Sequence, residues 1–359
     1  MSMTSVSKPS SRNYWIDLVR LIMAIFVVGV HASRKASFAE GPYQWLTIAN
    51  PTLFRTAVPF FFLCTAFFTY KIYLDRGRDP KVFFKAALRY FILYTFWTIV
   101  FIPTILKETY FGTTKTPGAY ALWFVQEFFL NSPISVFWFL RASAYGLLIL
   151  GVLALLKIRP IYLLPLAVAF YIYGAYGDTY YGLLPEWLLP FYTSFDTTFY
   201  TTRDMIFFGL PLLLIGCQIA EVYAAKKPGT LMGIFCALIA ASSLVLLFYE
   251  AHYLMSETKM KDYNIYLSLL LFEPAFFIAI LSIRLPFPAK IGKYFGPISS
   301  LLYLTHIAWR DAYQDLYIGN KAMLANLNAK FAFTLGCALL FSLLILYLTR
   351  HFKAKKWFY

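Results

Sequence analysis

The chain has 359 residues, of which 60% are hydrophobic, 20% aromatic and only 14% charged, with a formal net charge of +15. A soluble domain carries about 25% charged residues, so this composition excludes a water-solvated globular protein and makes lipid part of the solvent. The cysteines Cys64, Cys217, Cys236 and Cys337 each lie inside an apolar run, which leaves no zinc-ligand spacing or disulfide framework and reads as small apolar packing residues.

A membrane-spanning helix needs about 20 mostly apolar residues. The polar N-terminus MSMTSVSKPSSR is expected to fray, with residues 1–13 flexible. The first apolar run, Trp15–Ser33, is too long and too interrupted by Asp17 and Arg20 for a cleaved signal peptide, so it reads as the first span. The next expected spans are Thr52–Leu74, Val82–Leu106, Ile134–Leu156, Pro160–Gly174, Asp204–Ala224, Thr230–Tyr249, Asn264–Arg284, Ile298–Tyr313 and Phe331–Arg350. Ala121–Asn131 is too short to span and reads as a re-entrant or interfacial helix. Ala175–Arg203, rich in Tyr, Trp and Thr with Pro185 and Pro190, suits an interfacial cap. The expectation is an all-α, polytopic membrane protein: about ten helices in one bundle, a single domain over residues 1–359, and no internal repeat.

Lys and Arg in the loops set the orientation. With the N-terminus inside, the inner segments carry Lys8, Arg12, Lys71, Arg76, Arg78, Lys81, Lys85, Lys157, Arg159, Lys226, Lys227, Arg284, Lys290, Lys293, Arg350, Lys353, Lys355 and Lys356 against Asp75, Asp79 and Glu221. The outer segments set Arg34, Lys35, Lys107, Lys115, Lys259 and Lys261 against nine carboxylates, from Glu40 to Asp262. Both termini are therefore expected in the cytoplasm, with 351–359 a basic tail. The net charge becomes a topology signal, and nucleic acid drops out as a partner.

Ionisable groups inside a bilayer are costly, so each is a candidate for function. Arg20 and His31 are eleven positions apart, almost three turns. Both therefore lie on one face of the first helix, about 16 Å apart along its axis. Asp17, one turn from Arg20, can pair with it. This polar track competes with a plainer reading in which Arg20 snorkels inward and His31 sits at the interface. Arg141 would orient a substrate carbonyl, or pair with Glu127 or an interfacial phosphate. Glu273, before Pro274, would pair with Arg20 or Arg141, or be protonated, as a structural or an active-site group. His306, close to Arg310 and Asp311, is a candidate second residue of a polar cavity. His252 and His351 read as solvated loop residues. The tyrosines between Tyr171 and Tyr200 are candidates to stack on a sugar ring.

The run WIDLVRLIMAIFVVGVH, Trp15–His31, with Arg20, ten residues and then His31, resembles the acyltransferase-3 signature. VPFFFLCTAFF at Val58–Phe68 is similar to the family's aromatic second helix, with Thr65-Ala66 where Ser-Gly is usual. FFKAALRY at Phe83–Tyr90, Trp138-Phe139-Leu140 before Arg141, FFGLPLLLIG at Phe207–Gly216 and KYFGPISSLLYLTH at Lys293–His306 follow in the family's order. The resemblance covers essentially the whole chain. It implies acyl transfer from cytoplasmic acyl-CoA, acetyl-CoA foremost, to a hydroxyl on an extracytoplasmic glycan or lipid-linked sugar at a bacterial inner membrane, with no permanently bound cofactor and no metal. His31 is then the general base, with Arg20 and Glu273 as its catalytic partners. Arg20, Lys85 and Arg89 would hold the CoA phosphates. Trp138, Arg141 and His306 would face the acceptor. A homo-oligomer stays open. The competing reading is a transporter of a small solute such as an amino acid. A carrier often shows repeats with broken helices, and none is visible here. A scaffold for polysaccharide export would leave Arg20 and His31 unexplained.

Overall fold

The computed structural model describes residues 14–33, 45–110, 116–283 and 288–351. The charges at Lys8, Arg12, Arg34, Lys35, Glu40, Lys115, Arg284, Lys353, Lys355 and Lys356 lie outside these residues. Among the described residues there is no strand. The main helices are α1 (Tyr14–Ala32), α2 (Ala57–Asp75), α3 (Lys81–Val100), α4 (Pro117–Leu130), α5 (Trp138–Leu155), α6 (Leu164–Tyr176), α7 (Leu210–Ala225), α8 (Thr230–Glu257), α9 (Leu269–Ser282), α10 (Phe295–Leu316) and α11 (Leu327–Leu348).

Among the described residues, seven helical stretches are long and apolar enough to cross a membrane, one of them the run Pro117–Leu155 that contains α4 and α5. Pro160–Tyr176 and Leu269–Ser282 are apolar but shorter. Helix α10 is 22 residues long, yet Arg310, Asp311 and Asp315 make its second half polar. The chain is an all-α, multi-pass membrane protein. Several expected bounds shift. The third run breaks at Phe101, and a separate helix, Ile102–Thr109, begins with Pro103 in its first turn, where proline's missing N–H costs no hydrogen bond. The eighth contracts to α9, because Asn264 is drawn into a polar network before the helix starts. The ninth lengthens to α10. The short helix expected at Ala121–Asn131 is α4.

Helix α1 packs between α10 and α2, α2 lies along α7, and α3 along α5; α8 pairs with α9, and α11 covers α10. Phe60, Phe62, Phe67, Phe208 and Phe277 are fully buried at the centre. By contrast α8 and α11 leave Leu231, Leu238 and Leu340 exposed, the faces that lipid would cover. Close contact between α2 and α7 depends on Gly216: a Cβ there would lie 2.8 Å from the Leu63 carbonyl oxygen and from Ala66. Without a hydrophobic drive between helices in lipid, such small-residue contacts let backbones approach.

The turn between α2 and α3 positions the site. Gly77, at φ +65°, ends α2 in a Schellman motif, with Gly77 N–H donating to Leu74 O and Arg78 N–H to Tyr73 O. The chain reverses within five residues, so Arg76 faces the first turns of α3. Ion pairs tie helix ends together. Glu221 accepts from Arg78 at 2.6 Å, lies 3.8 Å from Arg159 and accepts from Tyr70. Lys261 pairs with Asp196.

Candidate active site

A cavity of about 470 Å³ opens between α1, α2, α3, α5 and α10, within the roughly 300–1,000 Å³ usual for small-molecule sites. Arg20, Arg76, Lys85 and Arg89 supply its cations; Phe61, Cys64, Phe68, Leu93, Phe139 and Leu140 supply apolar wall; and Thr65, Tyr90, Ser299 and Tyr303 supply hydroxyls. The fold thus brings Arg20, Lys85 and Arg89 onto one cavity and adds Arg76, which the sequence reading treated only as a topology charge. Lys85 and Arg89 are one turn apart on α3, so the spacing alone puts them on one face. Arg20 holds Asp17 at 3.2 Å, as the one-turn spacing predicts. Its Nε is buried without a partner. Thr65, in place of the usual Ser, shares a hydrogen bond of 2.7 Å with Tyr90.

The histidines lie beyond the other end. The His31 and His306 rings are 5.2 Å apart between centroids, joined by the packing of α1 on α10. His306 is fully buried, and its Nδ1 is 2.8 Å from the Tyr303 carbonyl oxygen. Only an N–H can satisfy that oxygen, so this contact assigns the proton to Nδ1 and leaves Nε2 as a lone pair. That Nε2 is buried without a partner among the described residues. Tyr303, three residues before His306, lines the cavity, packs edge-on against Phe139 at 5.8 Å and donates to Val136 O. Tyr303, whose ring centre is 6.3 Å from that of His306, therefore stands between the cavity and the imidazole pair.

A second group surrounds the histidines. Arg55 and Arg203 both donate to Asn264 Oδ1, at 2.6 and 3.0 Å. Asn264 is itself fixed by Asp178, which accepts from its backbone N–H at 2.8 Å and its side-chain amide at 3.0 Å. Burial and the neighbouring Asp262 push the Asp178 carboxyl above the ordinary range, against those hydrogen bonds and Arg203. Neither Arg55 nor Arg203 was singled out from the sequence. A basic residue at the start of a spanning segment and another at the end of the outer cap were the available signals.

The remaining candidates are placed elsewhere. Arg141 is buried and donates to Phe129 O at 3.2 Å rather than pairing with Glu127, because the end of α4 presents that carbonyl first. Glu273 is fully buried, and neither carboxylate oxygen has a hydrogen-bond partner among the described residues. It pairs with neither Arg20, which is held by Asp17, nor Arg141. It lies off the cavity. Trp138 is buried beneath Arg203, whose guanidinium is 5.2 Å from the ring centre. Tyr171 and Tyr192 do not face outward: each is buried and donates to a backbone carbonyl, of Tyr266 and Tyr173 respectively. His252 and His351 are exposed.

The family described as an acyltransferase domain matches residues 13–349. The chain belongs to the acyltransferase-3 family. Among curated proteins, this acyltransferase-3 chain is 28% identical to a serine/alanine racemase of Enterococcus gallinarum over 82% of its own length and 40% of the racemase. It is 29% identical to an amino-acid racemase of Enterococcus faecalis over 62% of its length and 30% of that protein. A second amino-acid racemase of Enterococcus faecalis is 26% identical over 81% and 40%. The chain thus spans less than half the length of these relatives. No solved structure matches it.

Proposed function

We propose that this acyltransferase-3 protein transfers an acyl group, acetyl foremost, from cytoplasmic acyl-CoA to a hydroxyl of a cell-envelope or capsular polysaccharide outside a bacterial inner membrane. The observation that carries the reading is the cavity itself. It places Arg20, Arg76, Lys85 and Arg89 together and ends at Tyr303, one turn of α10 from the His31–His306 pair. Cations at one end suit the CoA phosphates. The apolar middle suits a pantetheine arm. An imidazole, which can take up a proton at a ring nitrogen, suits the acceptor end.

In the proposed reaction the acceptor oxygen bonds to the thioester carbonyl carbon while His31 takes the hydroxyl proton. The C–S bond then breaks, and the CoA thiolate leaves and is reprotonated by the imidazolium. Reaction at the histidine end requires the thioester to pass Tyr303, so this ring must move. The test is thiol release from acetyl-CoA by purified protein in detergent. It should rise on adding a polysaccharide hydroxyl acceptor and leave acetyl on that acceptor. Release that ignores every acceptor removes the transferase reading.

The second reading, carriage of a small solute such as an amino acid, draws support from the racemase names of the relatives. Uptake of labelled amino acid into proteoliposomes, with no acetyl transfer, would favour it.

The proposed topology has ten spans with both termini cytoplasmic. The pairing of inner charges on Glu221 and of Lys261 with Asp196 supports that sorting. A reporter fused after Tyr359 should be active only if it requires the cytoplasm. Activity of a periplasm-dependent reporter at that position would overturn the even count.

A further inference from the structure

The turn that carries Arg55 packs on α1 beside His31, where Phe54 meets Gly29, and the charged groups acting most strongly on His31 are His306, Arg310, Arg203 and Arg55. Arg310 is neutralised by its neighbour Asp311, with contacts of 2.5 and 2.7 Å. Arg55 and Arg203 have no such partner among the described residues. Arg55 donates to Asn50 O, Asn50 Oδ1 and Asn264 Oδ1 and lies 4.3 Å over the Tyr263 ring. Arg203 donates from its side chain only to Asn264 Oδ1, and its Nε is buried without a partner. Asp178 interacts electrostatically with Arg203, but its hydrogen bonds from this network come from Asn264.

Two guanidiniums therefore converge on one neutral amide oxygen. A guanidinium has five N–H donors. Arg55 uses three of its own and Arg203 one, so donors remain on both. Both guanidiniums are part-buried and make no salt bridge to a carboxylate among the described residues, and planar forks of this kind match a carboxylate. Asn264 locks their spacing, and the turn that carries Arg55 packs on α1, which carries the half-buried His31.

We infer that Arg55 and Arg203, held together by Asn264, form a carboxylate-binding site beside His31, and that the acceptor is a hydroxyl compound bearing a carboxylate. The carboxylate anchors the acceptor while its hydroxyl reaches the imidazole. Two sources share this chemistry: a uronic acid residue of a glycan and a small free hydroxy acid. The position of the hydroxyl rests on the acyl-transfer reading; the carboxylate site does not.

The test uses the full chain in detergent, acetyl-CoA, and two matched pairs of acceptors below saturation: glucuronate against glucose, and glycerate against glycerol. The carboxylated member should be acetylated about tenfold faster or more, as loss of a charge-assisted bidentate contact implies. Arg203→Gln and Arg55→Gln should abolish that preference with the donor KM unmoved, and Arg203→Lys should keep part of it. Preference in the glucuronate pair alone points to a glycan, and preference in the glycerate pair alone to a free hydroxy acid. Robust transfer with no preference for either carboxylate overturns the inference and leaves acyl transfer standing. Absence of transfer, with glucuronate or glycerate still raising the melting temperature of wild type but not of Arg203→Gln, keeps the carboxylate site and overturns the transferase. Neither transfer nor stabilisation overturns both.

Discussion

His31→Ala should lower acyl transfer by about 10²–10⁴-fold, the usual contribution of a general base, with protein yield and acyl-CoA binding close to wild type. The base is lost, and the donor cavity, which His31 does not line, is left intact. His31→Gln separates the roles. Glutamine retains a hydrogen-bonding side chain of similar length but takes no proton near pH 7, so it should be almost as inactive as alanine. A histidine that only packs against His306 would behave otherwise: glutamine would restore activity, and alanine would lose thermal stability together with rate. Near wild-type transfer by His31→Gln, measured as acetyl on the acceptor, sinks the general-base assignment. His306 gives a useful contrast. Its Nδ1 is committed to the Tyr303 and Leu302 carbonyls, at 2.8 and 3.2 Å, so one nitrogen remains for chemistry where His31 has both ring positions uncommitted to backbone.

The double variant Lys85→Ala/Arg89→Ala should raise the donor KM by about 10²-fold or more, since each charged hydrogen bond to phosphate contributes roughly 1.5–3 kcal/mol. The acceptor KM and the rate at saturating donor should change little, because the lost contacts hold CoA equally before and during the reaction. Arg20 is a poorer test, for its guanidinium also holds Asp17 and its backbone carbonyl accepts from Ser299. A donor KM that stays put while the acceptor KM rises places CoA elsewhere.

Much of this was legible in the sequence, wherever the signal was local. Low charge and long apolar runs determined that the chain is a helical membrane protein, because an unpaired backbone in lipid leaves helices as the spanning element for such runs. The eleven-residue interval from Arg20 to His31 placed both on one face of α1. The one-turn interval from Lys85 to Arg89 did the same on α3. The Asp17–Arg20 pair followed from its spacing. Helix periodicity fixes such relations before any tertiary contact exists.

Tertiary structure decided what had to cross the chain. Asn264 meets Arg55 from 209 positions away and Arg203 from 61, and no periodicity links them. The meeting of His31 with His306 depends on α1 packing along α10. Competition for partners was equally invisible. Glu273 was expected to find Arg20 or Arg141, or to be protonated; the two pairings are closed because Asp17 and the Phe129 carbonyl take those arginines. Hydrogen bonds act over about 3 Å, so which of several candidate partners a buried charge takes is set by three-dimensional neighbours rather than by residue type.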